Sequence, residues 1–191
     1  MIINELKEQI NQIKLKRNPK KIIPRDFISL ATLFAPGVMF AMGLGFLYYY
    51  QPNFSWLKSP SLYPWELWVM VSFGIVATLG GAGDWIYHRL YVSAGPKERH
   101  SHLLALATGG LPLAVLMCYA SVIRTPQVLL IPIIVFVLYT TTLICYDEFI
   151  FHFKRCKPFE TLMHRLLVFG NLIAWLAWMN WCFVRGGAYG M

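Results

Sequence analysis

The chain has 191 residues, 57% of them hydrophobic and 14% charged, and a mean hydropathy of +0.51, which excludes an ordinary water-soluble domain and predicts one compact membrane-embedded helical domain. The formal charge of +8 sits in short clusters between long apolar runs rather than on one basic face, which excludes nucleic acid as a partner. Cys118, Cys145, Cys156 and Cys182 form no C-x-x-C pair, so a disulfide framework and a zinc knuckle are excluded too.

Residues 1–26 are polar and lysine-rich where a cleavable signal peptide would be apolar, so the first span is expected to direct insertion. Within residues 1–18, Ile3, Leu6, Ile10 and Ile13 recur at helical spacing among lysines and glutamate, which predicts a basic amphipathic helix on the inner leaflet.

Five apolar stretches follow, at about 27–50, 66–88, 102–123, 127–152 and 163–184, each close to the roughly 20 residues a helix needs to cross a bilayer. The expected architecture is therefore all-α and integral to the membrane: a cytoplasmic amphipathic segment over 1–26, then a five-helix transmembrane domain over 27–191. Pro36 with Gly37, and Pro132, are expected to kink the first and fourth spans. Trp56, Trp65, Trp68, Trp175, Trp178 and Trp181 are expected to form an aromatic belt at the outer interface.

Fourteen of the Lys and Arg residues fall before the first span or around the turns at 89–99 and 153–165, and only Lys58, Arg124 and Arg185 fall on the other side. The positive-inside rule then places the N-terminus in the cytoplasm and the C-terminus outside.

Acids and histidines are costly inside a bilayer, so their placement carries the most information. Asp84-Trp-Ile-Tyr-His88 closes the second span, Glu98-Arg-His-Ser-His102 opens the third, Glu148-Phe-Ile-Phe-His152 closes the fourth and Glu160-Thr-Leu-Met-His164 opens the fifth. Residues 84–88 match 148–152 in character, and Pro96 and Pro158 each precede the next acid by two, which reads as a duplicated hairpin over about 66–123 and 127–184.

Side chains four apart share a helix face. Each acid and its histidine can therefore present one oxygen and one nitrogen to a common point. Short turns would make each hairpin antiparallel and bring all eight side chains to one depth, as a four-helix metal-binding bundle requires. Four carboxylates would balance two divalent ions. The competing reading is a solvated interface in which the acids pair with Arg89, Lys97, Arg99 and Arg165. Asp147 is an alternative to Glu148 as ligand, or an acceptor behind a histidine. His100, Tyr87, Tyr91 and Tyr146 are expected around the site or as interfacial anchors.

Carboxylate and imidazole ligands without thiolate suit iron, manganese or zinc, with iron preferred. In ligand type the set resembles the ferritin-like di-iron carboxylate bundles, which use lone glutamates and Glu-x-x-His motifs, whereas here the spacing is four and histidine is doubled. It is also similar to the integral-membrane fatty acid desaturases and hydroxylases in having two metals on the cytoplasmic side, although their H-x-x-H-H boxes are absent.

The function expected is a di-iron oxidoreductase that hydroxylates or desaturates a lipid-like substrate using a cytoplasmic electron donor, with Arg89, Lys97, Arg99 and Arg165 near an anionic headgroup and an oligomer allowed. The alternatives are a zinc or manganese hydrolase of a lipid ester or phosphate, and a non-enzymatic haem electron-transfer subunit or metal carrier. Gly80, Gly81 and Gly83 are expected either to open space for substrate or to let helices pack closely.

Overall fold

The computed structural model describes residues 24–50, 54–91, 96–152 and 157–185, and every regular element among them is helical. The amphipathic segment expected over residues 1–18 lies outside the described residues. Helix α1 spans Pro24–Tyr50, with Pro36 inside it. Two short 3-10 turns, Ser55–Lys58 and Pro60–Leu62, lead into α2, Trp65–Tyr91. Helix α3, Pro96–Leu104, passes through a π-helical stretch, Ala105–Gly110, into α4, Leu111–Val122. Helix α5, Leu130–Asp147, runs on into a π-helical turn, Glu148–His152. Helix α6, Pro158–Met179, ends in a third such turn, Asn180–Val184.

Five helical segments are long and apolar enough to cross a membrane: Leu30–Tyr50, Trp65–His88, His100–Val122, Pro126–Ile150 and Pro158–Val184. Many of their large apolar side chains are exposed, as expected where lipid is the solvent. The fifth begins about five residues earlier than hydropathy alone places it, because Pro158 at the first helical position starts α6 before the apolar run does. Pro132 lies in the first turn of α5, where a missing N–H costs nothing, so the kink expected there is not required. The break in regular α geometry inside the third span falls where Gly109 and Gly110 precede Pro112. A glycine pair and a proline are both established causes of local helix distortion.

The tightest packing joins helices far apart in sequence. Helix α2 runs antiparallel to α6 along its length, with Glu66 beside Asn180 at one end and His88 beside Glu160 at the other. Glycine permits this approach. A Cβ on Gly170 would lie 2.9 Å from the Ala77 nitrogen and the Phe73 carbonyl, and one on Gly80 would lie 2.7 Å from the Leu167 nitrogen and the Met163 carbonyl. The side chain of Met163 fills the space against Gly83, and Leu33 of α1 fills that against Gly81. These glycines therefore serve close packing and do not open a substrate chamber.

The segment α3–α4 pairs in the same antiparallel way with α5. A Cβ on Gly109 would meet the Thr140 side chain, and the Thr108 and Tyr139 hydroxyls lie 3.0 Å apart. The second and fifth spans, which belong to different hairpins, thus pack chiefly on each other.

The apolar core lies toward the end of the bundle where α2 starts and α6 finishes. Leu47, Trp56, Leu67, Ala120, Ile133, Trp178 and Trp181 are buried together there. Trp178 donates its indole N–H to Ser121 Oγ at 2.9 Å, and Trp56 packs edge-on against Trp181. Of the expected aromatic belt, Trp65 and Trp68 are exposed, whereas Trp56, Trp178 and Trp181 are core residues. Fixed-depth indoles are equally useful for filling the space between helix ends.

Candidate metal centre

The other end of the bundle gathers acids and imidazoles. Asp84 and His88 lie one turn apart near the end of α2, and His88 Nε2 is 3.7 Å from Asp84 Oδ1, as their spacing of four predicts. The same nitrogen is 3.0 Å from Glu160 Oε1 in the first turn of α6. That first turn suits a carboxylate because unpaired backbone N–H groups and the positive end of the helix dipole face it. Glu160 is 1% exposed. Asp84, His88 and Glu160 each offer one ligand atom, all within 4.8 Å of one another.

Two atoms that each sit about 2.1 Å from one ion are at most about 4.2 Å apart, so small side-chain movements close this triad onto a single metal.

The end of α5 supplies two consecutive acids. Neighbouring positions on a helix point about 100° apart, so they reach different partners. Asp147 Oδ2 accepts from His102 Nε2 of α3 at 2.6 Å, and Glu148 Oε2 lies 3.2 Å from His164 Nε2 of α6. Both meet histidine, each from a different neighbouring helix. Asp147 is buried, while the Glu148 and His102 side chains are 35% and 40% exposed.

The His88 and His102 rings lie 6.4 Å apart, centroid to centroid, and join the triad to the Asp147 side of the cluster. Seven acid or histidine side chains from α2, α3, α5 and α6 thus meet at one end of the bundle.

Contacts also cross between helices: besides Asp84 of its own helix, His88 reaches Glu160, and His164 reaches Glu148. An i,i+4 rule describes one helix and contains no information about crossings, so the partners in other helices are not readable from it. The side chains of Glu98 and His152 lie outside the described residues, as do those of Arg89, Tyr91, Lys97 and Arg99. His100 and Arg165 are exposed, and Tyr146 is also exposed beside Asp147. Tyr87 is buried with its ring 5.6 Å from Phe159, so it packs under the cluster rather than anchoring in the interface.

A cluster of this composition is matched by a cation that carboxylate oxygen and imidazole nitrogen bind together. Comparison with protein-family models, with curated proteins and with solved structures gave no match.

Proposed function

We propose that this protein is an integral-membrane dinuclear metal enzyme, with iron the preferred metal and hydroxylation or desaturation of a lipid-like substrate the preferred reaction. The observation that carries the reading is the Asp84, His88 and Glu160 triad, with ligand atoms from two helices within reach of one ion. Glu148 with His164, and His102 with Asp147, supply donors of the same kind for a second ion at the same end.

The duplicated hairpin belongs to this proposal. A repeat relating the second span to the fourth, and the third to the fifth, makes the α2/α6 pair the counterpart of the α5/α3–α4 pair, and both are antiparallel with a glycine at the crossing. On that reading Glu98 and His152 complete the ligand set as counterparts of Glu160 and His88. The positive-inside distribution supports a cytoplasmic position for the cluster, with the C-terminus outside.

Iron bound here would supply the O₂ chemistry: hydroxylation puts one oxygen atom into a C–H bond and reduces the other to water with two electrons and two protons from a cytoplasmic donor. The chain's own contribution is to hold the ligands. Close α2–α6 packing fixes the triad, and Asp147 orients the His102 ring, as a carboxylate behind a histidine ligand does. The more exposed His102 and Glu148 leave the α3–α5 side as the direction from which a hydrophobic substrate approaches.

Metal analysis with absorption spectroscopy tests the reading. About two irons per chain with near-ultraviolet carboxylate-to-iron bands are expected. Two colourless zinc ions would replace the oxidoreductase with a hydrolase, in which the metals lower the pKa of a bound water. A Soret band or the absence of bound metal would overturn the dinuclear proposal.

A further inference from the structure

The two sets of ligands are held in different ways. Asp84, His88 and Glu160 all stand on α2 and α6, the most closely packed helices of the bundle. The Met163 side chain fills the space against Gly83, next to Asp84, so the backbone that carries the triad has little room to shift. Its three side chains are at most 16% exposed. Asp84 and Glu160 together carry the two negative charges that one divalent ion neutralises, so this set accommodates an ion whether or not a second is present.

The other set spans a seam. His164 belongs to α6, whereas Glu148 and Asp147 belong to the end of α5, and His102 to α3. Helices α5 and α6 pack only lightly on each other, so the Glu148 and His164 side chains meet between two helix pairs rather than inside one. Glu148 also opens a π-helical turn, a departure from regular helix that is frequent at functional sites. Glu148 and His102 are 35% and 40% exposed, and water at that distance weakens the attraction of a carboxylate for a cation.

We propose that the centre loads in order. The first iron(II) seats in the Asp84, His88 and Glu160 triad and is held firmly; the second seats last, at Glu148 and His164 across the seam, and leaves first. Ligand charge and site rigidity set cation affinity, and rigidity and burial both favour the triad. The inference rests on the dinuclear reading and adds a regulation to it: at low iron the chain holds one ion, and the pair assembles only when iron is plentiful. The second ion also ties α5 to α6 at the end of the bundle where they otherwise make little contact.

Anaerobic titration of the metal-free full chain in detergent with iron(II), then release into excess of a chelator that colours on binding iron(II), tests the order. Wild type should bind two ions and release them in two phases of equal amplitude, the slow one slower by about tenfold or more, since ligand charge and rigidity alone move cation affinity across decades. Glu148→Gln, at a part-exposed position, should lose the fast phase and keep the slow one. Glu160→Gln should lose the slow phase. Release of both ions from wild type in a single phase, or loss of the slow phase in Glu148→Gln, overturns the order and leaves the dinuclear reading standing. Wild type that binds no iron overturns that reading and the order with it.

Discussion

The two ends of the bundle solve the same problem differently. At one end a fully buried carboxylate, Glu66, is met by the side-chain amide of Asn180 and by Arg185, the ordinary way to keep an acid out of water. At the other end Asp84, Asp147, Glu148 and Glu160 are met by histidines. A guanidinium supplies a permanent charge, whereas a neutral imidazole supplies a nitrogen that binds metal. The comparison sets a carboxylate met by an amide and a guanidinium against a cluster of carboxylates and imidazoles, a donor set that suits a cation.

Substitutions sharpen this contrast. The largest effect is expected from His88→Ala or Glu160→Gln, which remove a member of the triad. Each should lower apparent metal affinity by more than about 100-fold, since changes behind a ligand alone cost about 10- to 100-fold. Asp147→Asn should fall in that smaller range, because Asp147 holds the His102 ring. Metal titration of the purified variants reads both, and equal affinity in all three would remove the distinction between the triad and the carboxylate behind His102.

Chelation should next lower the thermal midpoint of wild type and leave that of Glu160→Gln nearly unchanged, as linkage requires when only the folded state binds metal. Gly170→Leu should destabilise the bundle by roughly 1–3 kcal/mol in detergent unfolding, because the new side chain meets the backbone of α2. The smallest effect expected is from Trp178→Phe, which removes the N–H donated to Ser121 and should cost about 1 kcal/mol with metal content unchanged. A loss of metal in that variant would show that the two ends are not independent.

Much of this architecture was legible in the sequence. Hydropathy set the five helices to within a few residues, because length and apolarity are properties of a segment alone. The acids and histidines were also legible as a group, since few side chains of this kind stand near a span without a reason. What was not legible depends on crossings between helices. Nothing in the spacing of Asp84 and His88 shows that Glu160 lies opposite, or that Asp147 and Glu148 face different neighbours. The π-helical turn at Glu148–His152 also changes the angular step there, and a count of residues assumes that step to be constant.

Glu66 is not marked by the sequence as a buried acid because it stands alone at the start of a span. Its partners, Asn180 and Arg185, become visible only once α2 and α6 are known to run antiparallel. The tryptophans teach a related lesson: position near a helix end suggested a belt, while burial makes three of them core.

The central claim is that the acid and histidine cluster holds metal, and the most direct test is metal content per chain in wild type and in Glu160→Gln purified identically, with helicity checked by circular dichroism. The account predicts about two ions per wild-type chain and a clear loss in a variant of unchanged helicity. Wild type without bound metal, or a variant that retains the full complement, would contradict it.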